Sequence, residues 1–300
     1  MRAALSPPIG EPAAQAVRSR ELASALLWTT QPVAIGVAAA SVPPLLQATI
    51  ATTSALLLVW LWTRWHNVAV FAQDDTLAPG AWLGLLFSLR LGLLYLAIAQ
   101  AQATLVVVLA FGVLVAMQGG YALVSRGPRR TILAGLLLAV MALLGGLLLA
   151  KGSAAACAMA AGLVWAAEAR LTRDARLVHC GGEKFLFYEL IGAAVTLPVA
   201  SVAAGENWLL APSGAGWAAL AVQVAVGGLA LPLLWFAPGA QHRPRPLAAL
   251  ARIAPVATLA LQTWVVAWPG APIAAASILL SLAAWLTHQT PGMKRLVRAQ

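Results

Sequence analysis

The chain consists of long apolar runs separated by short breaks of Pro, Gly or charged residues. A bilayer core about 30 Å thick needs about 20 apolar residues per helix, and the runs have about that length. They predict ten membrane-spanning helices, at residues 22–41, 44–63, 80–99, 104–124, 131–150, 153–170, 184–204, 216–237, 247–267 and 272–289. Runs fused across the shortest breaks would be about 40 residues long, twice what a membrane requires. Ten spans are therefore favoured over fewer, longer ones.

The overall composition agrees with a chain that lies in lipid. Of its 300 residues, 61% are hydrophobic and 9% are charged, and the mean hydropathy is +0.85. Soluble domains carry about 25% charged residues, so this chain could not cover a water-facing surface. The sequence indicates an all-α integral membrane protein. Residues 1–21 are polar, basic and Pro-rich and predict a loose cytoplasmic tail rather than a signal peptide, and residues 290–300 predict a second tail.

Lysine and arginine predict the orientation of the spans. With ten spans, both termini lie on one side of the membrane, and sixteen of the 19 basic residues fall on that side. The opposite side receives only Lys151. Because loops rich in Lys and Arg stay cytoplasmic, we expect both termini in the cytoplasm and the chain in the cytoplasmic (inner) membrane. This bias explains the net charge of +10, so nucleic acid is not an expected partner.

The two remaining basic residues, Arg90 and Arg252, lie within predicted spans. A charge at the bilayer centre costs about 2.5–3.5 kcal/mol, so it needs a partner or a function. Arg90 is too far from either end of its span to snorkel. It either pairs with an acid on a neighbouring helix or clamps an anionic group of a ligand with its guanidinium fork, and we favour the clamp. Arg252 lies near the cytoplasmic end of the ninth span, where anchoring by snorkelling and a transport role are equally supported.

Two acids, Glu168 and Glu189, lie about one turn inside the sixth and seventh spans. Either could neutralise an arginine or take up a proton. A single buried acid is more often the ion-pair partner of a base than a proton carrier. With only these two acids, the sequence gives no support for proton-coupled antiport. Seven glutamines in or next to the spans are mostly expected to form interhelical hydrogen bonds of about 0.6 kcal/mol each: Gln31, Gln47, Gln100, Gln102, Gln118, Gln223 and Gln262. Gln31 has additional weight, since an internal repeat pairs it with Glu168.

The internal repeat joins the start of the two halves of the chain. AGLVWAAEARL echoes ALLWTTQPVAI, which aligns Trp28 with Trp165 and Gln31 with Glu168 at an offset of 137 residues. Weaker matches follow in the same order at offsets of 135, 141 and 141. The repeat predicts a first half of five spans at 22–150 and a second half of five at 153–289. An odd number of spans per repeat inverts the second copy, and inverted repeats are typical of transporters with a substrate site between the halves.

With these features the chain resembles the EamA-like, ten-span branch of the drug/metabolite transporter superfamily, over residues 22–289. The resemblance rests on Trp28 and Trp165 early in each half, on PPLLQATIATTSALLL, on YLAIAQAQATLVVVLA, and on LPLLWF followed by LARIAPVATLAL. The family carries amino acids, drugs, sugars and nucleotide-linked compounds, so the resemblance names no single cargo. It also implies that the fifth span, GLLLAVMALLGGLLLA, is peripheral and faces lipid or a second copy of the chain in a homodimer.

The resemblance further implies a set of cavity positions. Trp28, Tyr95, Trp165 and Trp235 fall on positions that face the central cavity in the family. The position of Arg90, five residues before Tyr95, is commonly polar there and faces the same cavity. Together with the acids and the repeat, this gives the following candidate substrate-binding residues: Trp28, Gln31, Arg90, Tyr95, Trp165, Glu168, Tyr188, Trp235 and Arg252.

We therefore expect a secondary transporter, and favour an exporter, for a small metabolite such as an amino acid or organic acid. One alternative is a multi-span membrane enzyme, which is disfavoured because all four histidines lie at cytoplasmic ends and no span pairs a nucleophile with a base. The other is a non-transporting scaffold, which would predict an interior without polar residues. No cofactor or metal is expected, since the sequence has no phosphate-binding loop and its two cysteines lack metal-site spacing.

Overall fold

The computed structural model describes residues 11–71, 75–124, 130–172, 177, 180–209, 211–231, 234 and 247–288. Within these ranges the chain is helical and contains no β-strand. The helices are α1 (Glu11–Ala38), α2 (Pro44–Trp65), α3 (Leu77–Gln100), α4 (Ala103–Val124), α5 (Arg130–Leu171), α6 (Gly182–Ala203), α7 (Gly214–Val222), α8 (Leu247–Val265) and α9 (Ala271–His288). A π-helix, Gln223–Ala230, continues directly from α7.

Helix α5 is interrupted at Gly152, which has φ 50° and ψ −118°. This backbone conformation lies in the left-handed region that residues with a Cβ rarely adopt. An added Cβ there would meet no atom within 4 Å, so the backbone conformation, not space, requires glycine. The interruption divides α5 into a first arm, 130–151, and a second arm, Gly152–Leu171. It falls at the break that the sequence predicted between the runs 131–150 and 153–170.

Several helices have the length and apolar composition needed to cross a membrane. In the described residues these are α2, α3, the second arm of α5, and α6. Shorter apolar helical stretches occur at Ala103–Met117, Gly214–Ala230, Ala249–Val265 and Ala271–Leu286. The prediction of an all-α chain suited to a membrane is therefore confirmed at this level. Tryptophan is enriched at membrane–water interfaces, and the exposed tryptophans include Trp62, Trp65, Trp208, Trp217, Trp268 and Trp285.

The prediction of a loose tail over residues 1–21 is wrong from residue 11 onward, because α1 already begins at Glu11. Pro12 lies in the first turn, where its missing N–H is not needed and its fixed φ suits the helix. The alanines that follow are strong helix formers. Polarity and proline content suggested a disordered tail, whereas local helix propensity extends the first helix toward the N-terminus.

Helices of the two halves of the chain pack against each other. Helix α6 contacts α2 and α3, α8 contacts α1, and α9 contacts α4. At the crossing of α3 and α6, Gly84 and Gly192 bring the two backbones together. A Cβ on Gly84 would collide with the carbonyl oxygen of Tyr188, and one on Gly192 would collide with the Gly84 backbone. Small residues thus permit the close approach that helix packing in lipid requires.

Candidate functional site

A buried ion pair links α3 to the second arm of α5. The Nε of Arg90 donates to Oε2 of Glu168 at 2.7 Å, and its Nη2 donates to Oε1 at 3.5 Å. Arg90 is 5% exposed and Glu168 1%. The arginine therefore bonds a carboxylate of a neighbouring helix, the alternative that the sequence placed below the anion clamp. In this conformation its fork is occupied by the protein itself.

Aromatic rings cover the guanidinium of Arg90. Its Cζ lies 4.5 Å from the ring centre of Trp165 and 4.9 Å from that of Phe87. Cations are attracted to ring faces within about 6 Å. Because Trp165 and Glu168 are three residues apart on one helical arm, they lie on the same face. That arm presents both a ring and a carboxylate to Arg90. The repeat had already singled out Trp165 and Glu168, whereas Phe87 was not among the predicted residues.

Three aromatic side chains pack together beside the ion pair. The ring centre of Trp28 on α1 lies 5.7 Å from that of Trp165 and 5.3 Å from that of Phe111 on α4. Phe111 and Trp165 are 5.0 Å apart. The two tryptophans that the sequence aligned across the repeat are thus in direct contact. Sequence reasoning missed Phe111, because it lies in a uniformly apolar run and no polar neighbour distinguishes it.

A second polar contact joins α3 to the π-helix. The hydroxyl of Tyr95 donates to Oε1 of Gln223 at 2.8 Å, and Gln223 is the first residue of the π-helix. Gln31 of α1 lies against the same element, since a Cβ on Gly227 would be 2.9 Å from Gln31 Oε1. π-Helical turns are rare and often occur at functional sites. The sequence grouped Gln223 with glutamines that hold helices together, and nothing in its local pattern predicts the π-helix.

Three buried N–H groups in these contacts have no hydrogen-bond partner in the part of the chain that the structure describes: Trp165 Nε1, Gln31 Nε2 and Gln223 Nε2. Trp165 and Gln223 are each 2% exposed. An unsatisfied buried donor costs about 1–3 kcal/mol, and such a group needs an explanation in a folded protein. The three groups are candidate donors to a ligand. We call Arg90, Glu168, Trp28, Gln31, Tyr95, Phe111, Trp165 and Gln223 the central cluster.

The remaining candidate residues lie elsewhere or outside the described ranges. Tyr188 is buried and shares a 2.8 Å hydrogen bond with Thr76, and its ring covers Gly80 near the start of α3. Arg252 lies on α8 and is half-buried. Glu189, the other acid inside a predicted span, is fully buried on α6. Trp235 lies outside the described residues.

Side chains of the second half also bind the N-termini of two first-half helices. Glu206 follows α6, and its carboxylate accepts the backbone N–H groups of Leu45 and Leu46 at 3.0 and 2.6 Å. It thereby caps α2, whose own N-cap residue, Pro43, provides no side-chain hydrogen bond. Gln262 of α8 accepts the N–H and the hydroxyl of Thr104 in the first turn of α4, both at 2.7 Å. Neither contact was predicted.

A cavity of about 640 Å³ lies between α1, the α3–α4 junction, α8 and the start of α9. Its lining includes Val33 and Ile98. Val33 is two residues beyond Gln31, and Ile98 is three beyond Tyr95, so the cavity lies next to the central cluster along both helices. Ligand pockets commonly have volumes of about 300–1,000 Å³, so its size suits a small molecule.

Comparison with known proteins supports the fold only. No family model matches the chain, and no curated protein matches it in sequence. A solved structure described only as "Crystal structure of protein" aligns with a TM-score of 0.63 at 18% identity, covering 94% of this chain and 99% of that one. The two chains therefore share a fold over nearly their whole length.

Proposed function

We propose that the chain is a secondary transporter of the EamA-like kind, and an exporter of a small metabolite across the cytoplasmic membrane. Its ten spans would form two inverted five-helix halves that alternate access to a site between them. The observation that carries the proposal is the buried Arg90–Glu168 pair with its surrounding rings. Ionisable residues inside a membrane are costly and mark transport pathways by default.

The contacts of the central cluster support a site between the halves. The bond from Arg90 to Glu168, the packing of Trp28 on Trp165 and the bond from Tyr95 to Gln223 each join one residue of the first half to one of the second. Rocking of one half against the other would change all of these contacts together. An inverted-repeat transporter binds its cargo at such an interface.

Export can be tested by comparing the media of cells that differ only in the presence of this chain. Cells that express it should accumulate at least one small metabolite in the medium, relative to cells with an empty vector, by mass spectrometry. Trp28→Phe and Trp165→Phe keep a ring but alter the central cluster, and each should reduce this accumulation. Trp285→Phe, at an exposed position of α9, is the matched control and should export like wild type. Identical media from expressing and empty-vector cells would contradict the proposal.

The ten-span arrangement has its own test. Cysteines introduced after Lys151 and at Asn207 should react with a membrane-impermeant reagent added to intact cells. Cysteines at Arg129 and Arg243 should react only after the membrane is opened. The endogenous Cys157 and Cys180 are replaced by alanine first, and expression of that background is the control. Protection of the Asn207 position in intact cells would reject ten spans and the inverted repeat with them.

A further inference from the structure

The charges of the central cluster balance each other. Arg90 directs both Nε and Nη2 to the two carboxylate oxygens of Glu168, and both residues are buried. Their net charge is zero. A cargo with a net charge would have to compete with one partner, and the displaced partner would then lose this ion pair while it stays buried. Removing one partner of a buried pair is strongly unfavourable, so the cluster discriminates against net charge.

The fully buried groups of the central cluster that lack a hydrogen-bond partner in the described residues are all donors. Trp165 Nε1, Gln31 Nε2 and Gln223 Nε2 are N–H groups without an acceptor in the described part of the chain. A chain of contacts connects their residues: Trp28 packs on Trp165 and precedes Gln31 by one turn of α1, and Gln31 lies against the π-helix that Gln223 begins. A carbonyl oxygen can accept two such bonds, whereas an ammonium group, which only donates, cannot bond to any of these three N–H groups.

The adjacent cavity carries the same chemical preference. Its described lining contains no ionisable side chain, and its polar side chains are the carboxamides of Gln100, Gln102 and Gln262. The other lining residues are aliphatic or small, such as Val33, Gly36, Ala40 and Ile98. A charged molecule there would lose hydration without gaining a counter-ion. An uncharged molecule with carbonyl groups meets both apolar walls and amide partners.

We propose that the cargo is an uncharged small molecule that presents carbonyl oxygens to the N–H groups of Gln31, Trp165 and Gln223. This inference rests on the proposed transport function and specifies its substrate class. It replaces the anionic cargo that the sequence favoured, because the guanidinium of Arg90 is already bonded to Glu168. The ion pair then serves to keep the site neutral rather than to bind an anion.

Matched amide and carboxylate probes test the charge preference directly. Binding of radiolabelled nicotinamide and nicotinate, and of indole-3-acetamide and indole-3-acetate, is measured by scintillation proximity on the full chain in detergent. Each amide should bind about tenfold more tightly than its carboxylate, or better, since the carboxylate leaves a buried charge uncompensated. Equal binding of the two forms, tighter binding of the carboxylates, or binding of none of the four probes would overturn the proposal.

Variants of the ion pair provide a second, independent test. Glu168→Gln leaves Arg90 without its counter-ion, so the preference should reverse toward the carboxylates. The double variant Arg90→Gln/Glu168→Gln is neutral again and should prefer the amides. A restored preference would show that the change in Glu168→Gln comes from its charge and not from misfolding. Glu21→Gln, in the N-terminal half of α1 and outside the central cluster, is the matched control and should behave like wild type. An unchanged preference in folded Glu168→Gln would overturn the proposal.

The two proposals fail in different ways. If export is observed and the exported metabolite is an anion or a cation, the transport function stands and the uncharged class is wrong. If expressing cells export nothing, the transport function itself is contradicted, whatever the probes bind.

Discussion

Two glutamates of the second half bind the first half, one in the buried interior and one where water has access. Glu168 is 1% exposed and pairs with the guanidinium of Arg90, whereas Glu206 is half-buried and accepts two backbone N–H groups at the start of α2. The shortest contacts are similar, 2.7 Å from Arg90 Nε and 2.6 Å from the Leu46 nitrogen. Similar geometry nevertheless gives different energetics, because water can replace the partner of Glu206 but does not reach Glu168.

The difference identifies what each contact can control. A buried ion pair adds little net stability, since desolvation offsets the attraction, yet removal of one partner is costly. A helix cap contributes about 1 kcal/mol and can open and close without stranding a charge. The Arg90–Glu168 contact therefore constrains what the interior of the protein can hold. The Glu206 contact is suited to adjust how firmly the two halves are joined.

The largest expected effect comes from breaking the interior pair on one side only. Arg90→Ala leaves the Glu168 carboxylate buried without its cation and should lower the free energy of unfolding by about 3–5 kcal/mol. Thermal melting in detergent measures the change. Adding Glu168→Gln to this variant should recover most of the lost stability, and Arg64→Ala, at an exposed arginine of α2, should have little effect. An unchanged melting temperature for Arg90→Ala would show that the ion pair is not buried in solution.

Trp165→Ala should have an effect of similar size for a different reason. The ring of Trp165 packs against Arg90, Trp28 and Phe111, and deletion of a buried tryptophan side chain costs about 3–5 kcal/mol. If Trp165 only lined a substrate cavity, as the resemblance implies, the variant would instead fold normally. Melting of Trp165→Ala beside Trp285→Ala, whose ring is exposed, decides between these outcomes. Equal melting temperatures would show that the ring of Trp165 does not stabilise the fold.

The central cluster shows how far the sequence could predict the structure. The repeat and the buried charges identified Arg90, Trp28, Gln31, Trp165 and Glu168, because charged and paired aromatic residues stand out in an apolar chain. Which partner Arg90 binds depends on the relative rotation of α3 and α5, and one-dimensional periodicity does not fix that rotation. The structure therefore shows the ion pair where the sequence favoured the clamp.

Other features had no local sequence signal. Phe111 and Phe87 are ordinary apolar residues in apolar helices, and nothing in the local sequence marks the π-helix that begins at Gln223. Glu206 caps a helix about 160 residues earlier in the chain, so no spacing rule could pair them. The start of α1 is the opposite case, because the local sequence did contain a signal. Helix propensity near Pro12 favours a helix there, whereas the prediction followed the polarity of the segment.

A smaller effect is expected at the hydrogen bond between Tyr95 and Gln223. Tyr95→Phe removes the hydroxyl and leaves Gln223 Oε1 buried without its donor, which should cost about 1–3 kcal/mol. Adding Gln223→Leu removes the stranded amide and should recover part of the loss. Melting of the single and double variants measures the coupling. If the loss in the double variant equalled the sum of the losses in Tyr95→Phe and Gln223→Leu alone, the two residues would not be bonded in solution.

The smallest effect is expected at the helix cap. Glu206→Ala removes the acceptor for the N–H groups of Leu45 and Leu46 and should lower the free energy of unfolding by about 1 kcal/mol. Glu206→Gln retains one acceptor oxygen and should lose less. Because Glu206 is partly exposed, we expect water to enter the space left by its side chain and to bond the freed N–H groups, so the loss should stay well below that of Arg90→Ala. Glu21→Ala on α1 is the control and should change stability by no more than about 0.5 kcal/mol. If Glu206→Ala lowered the free energy of unfolding as much as Arg90→Ala, the cap would be as inaccessible to water as the ion pair. The two glutamates would then not differ in the way described above.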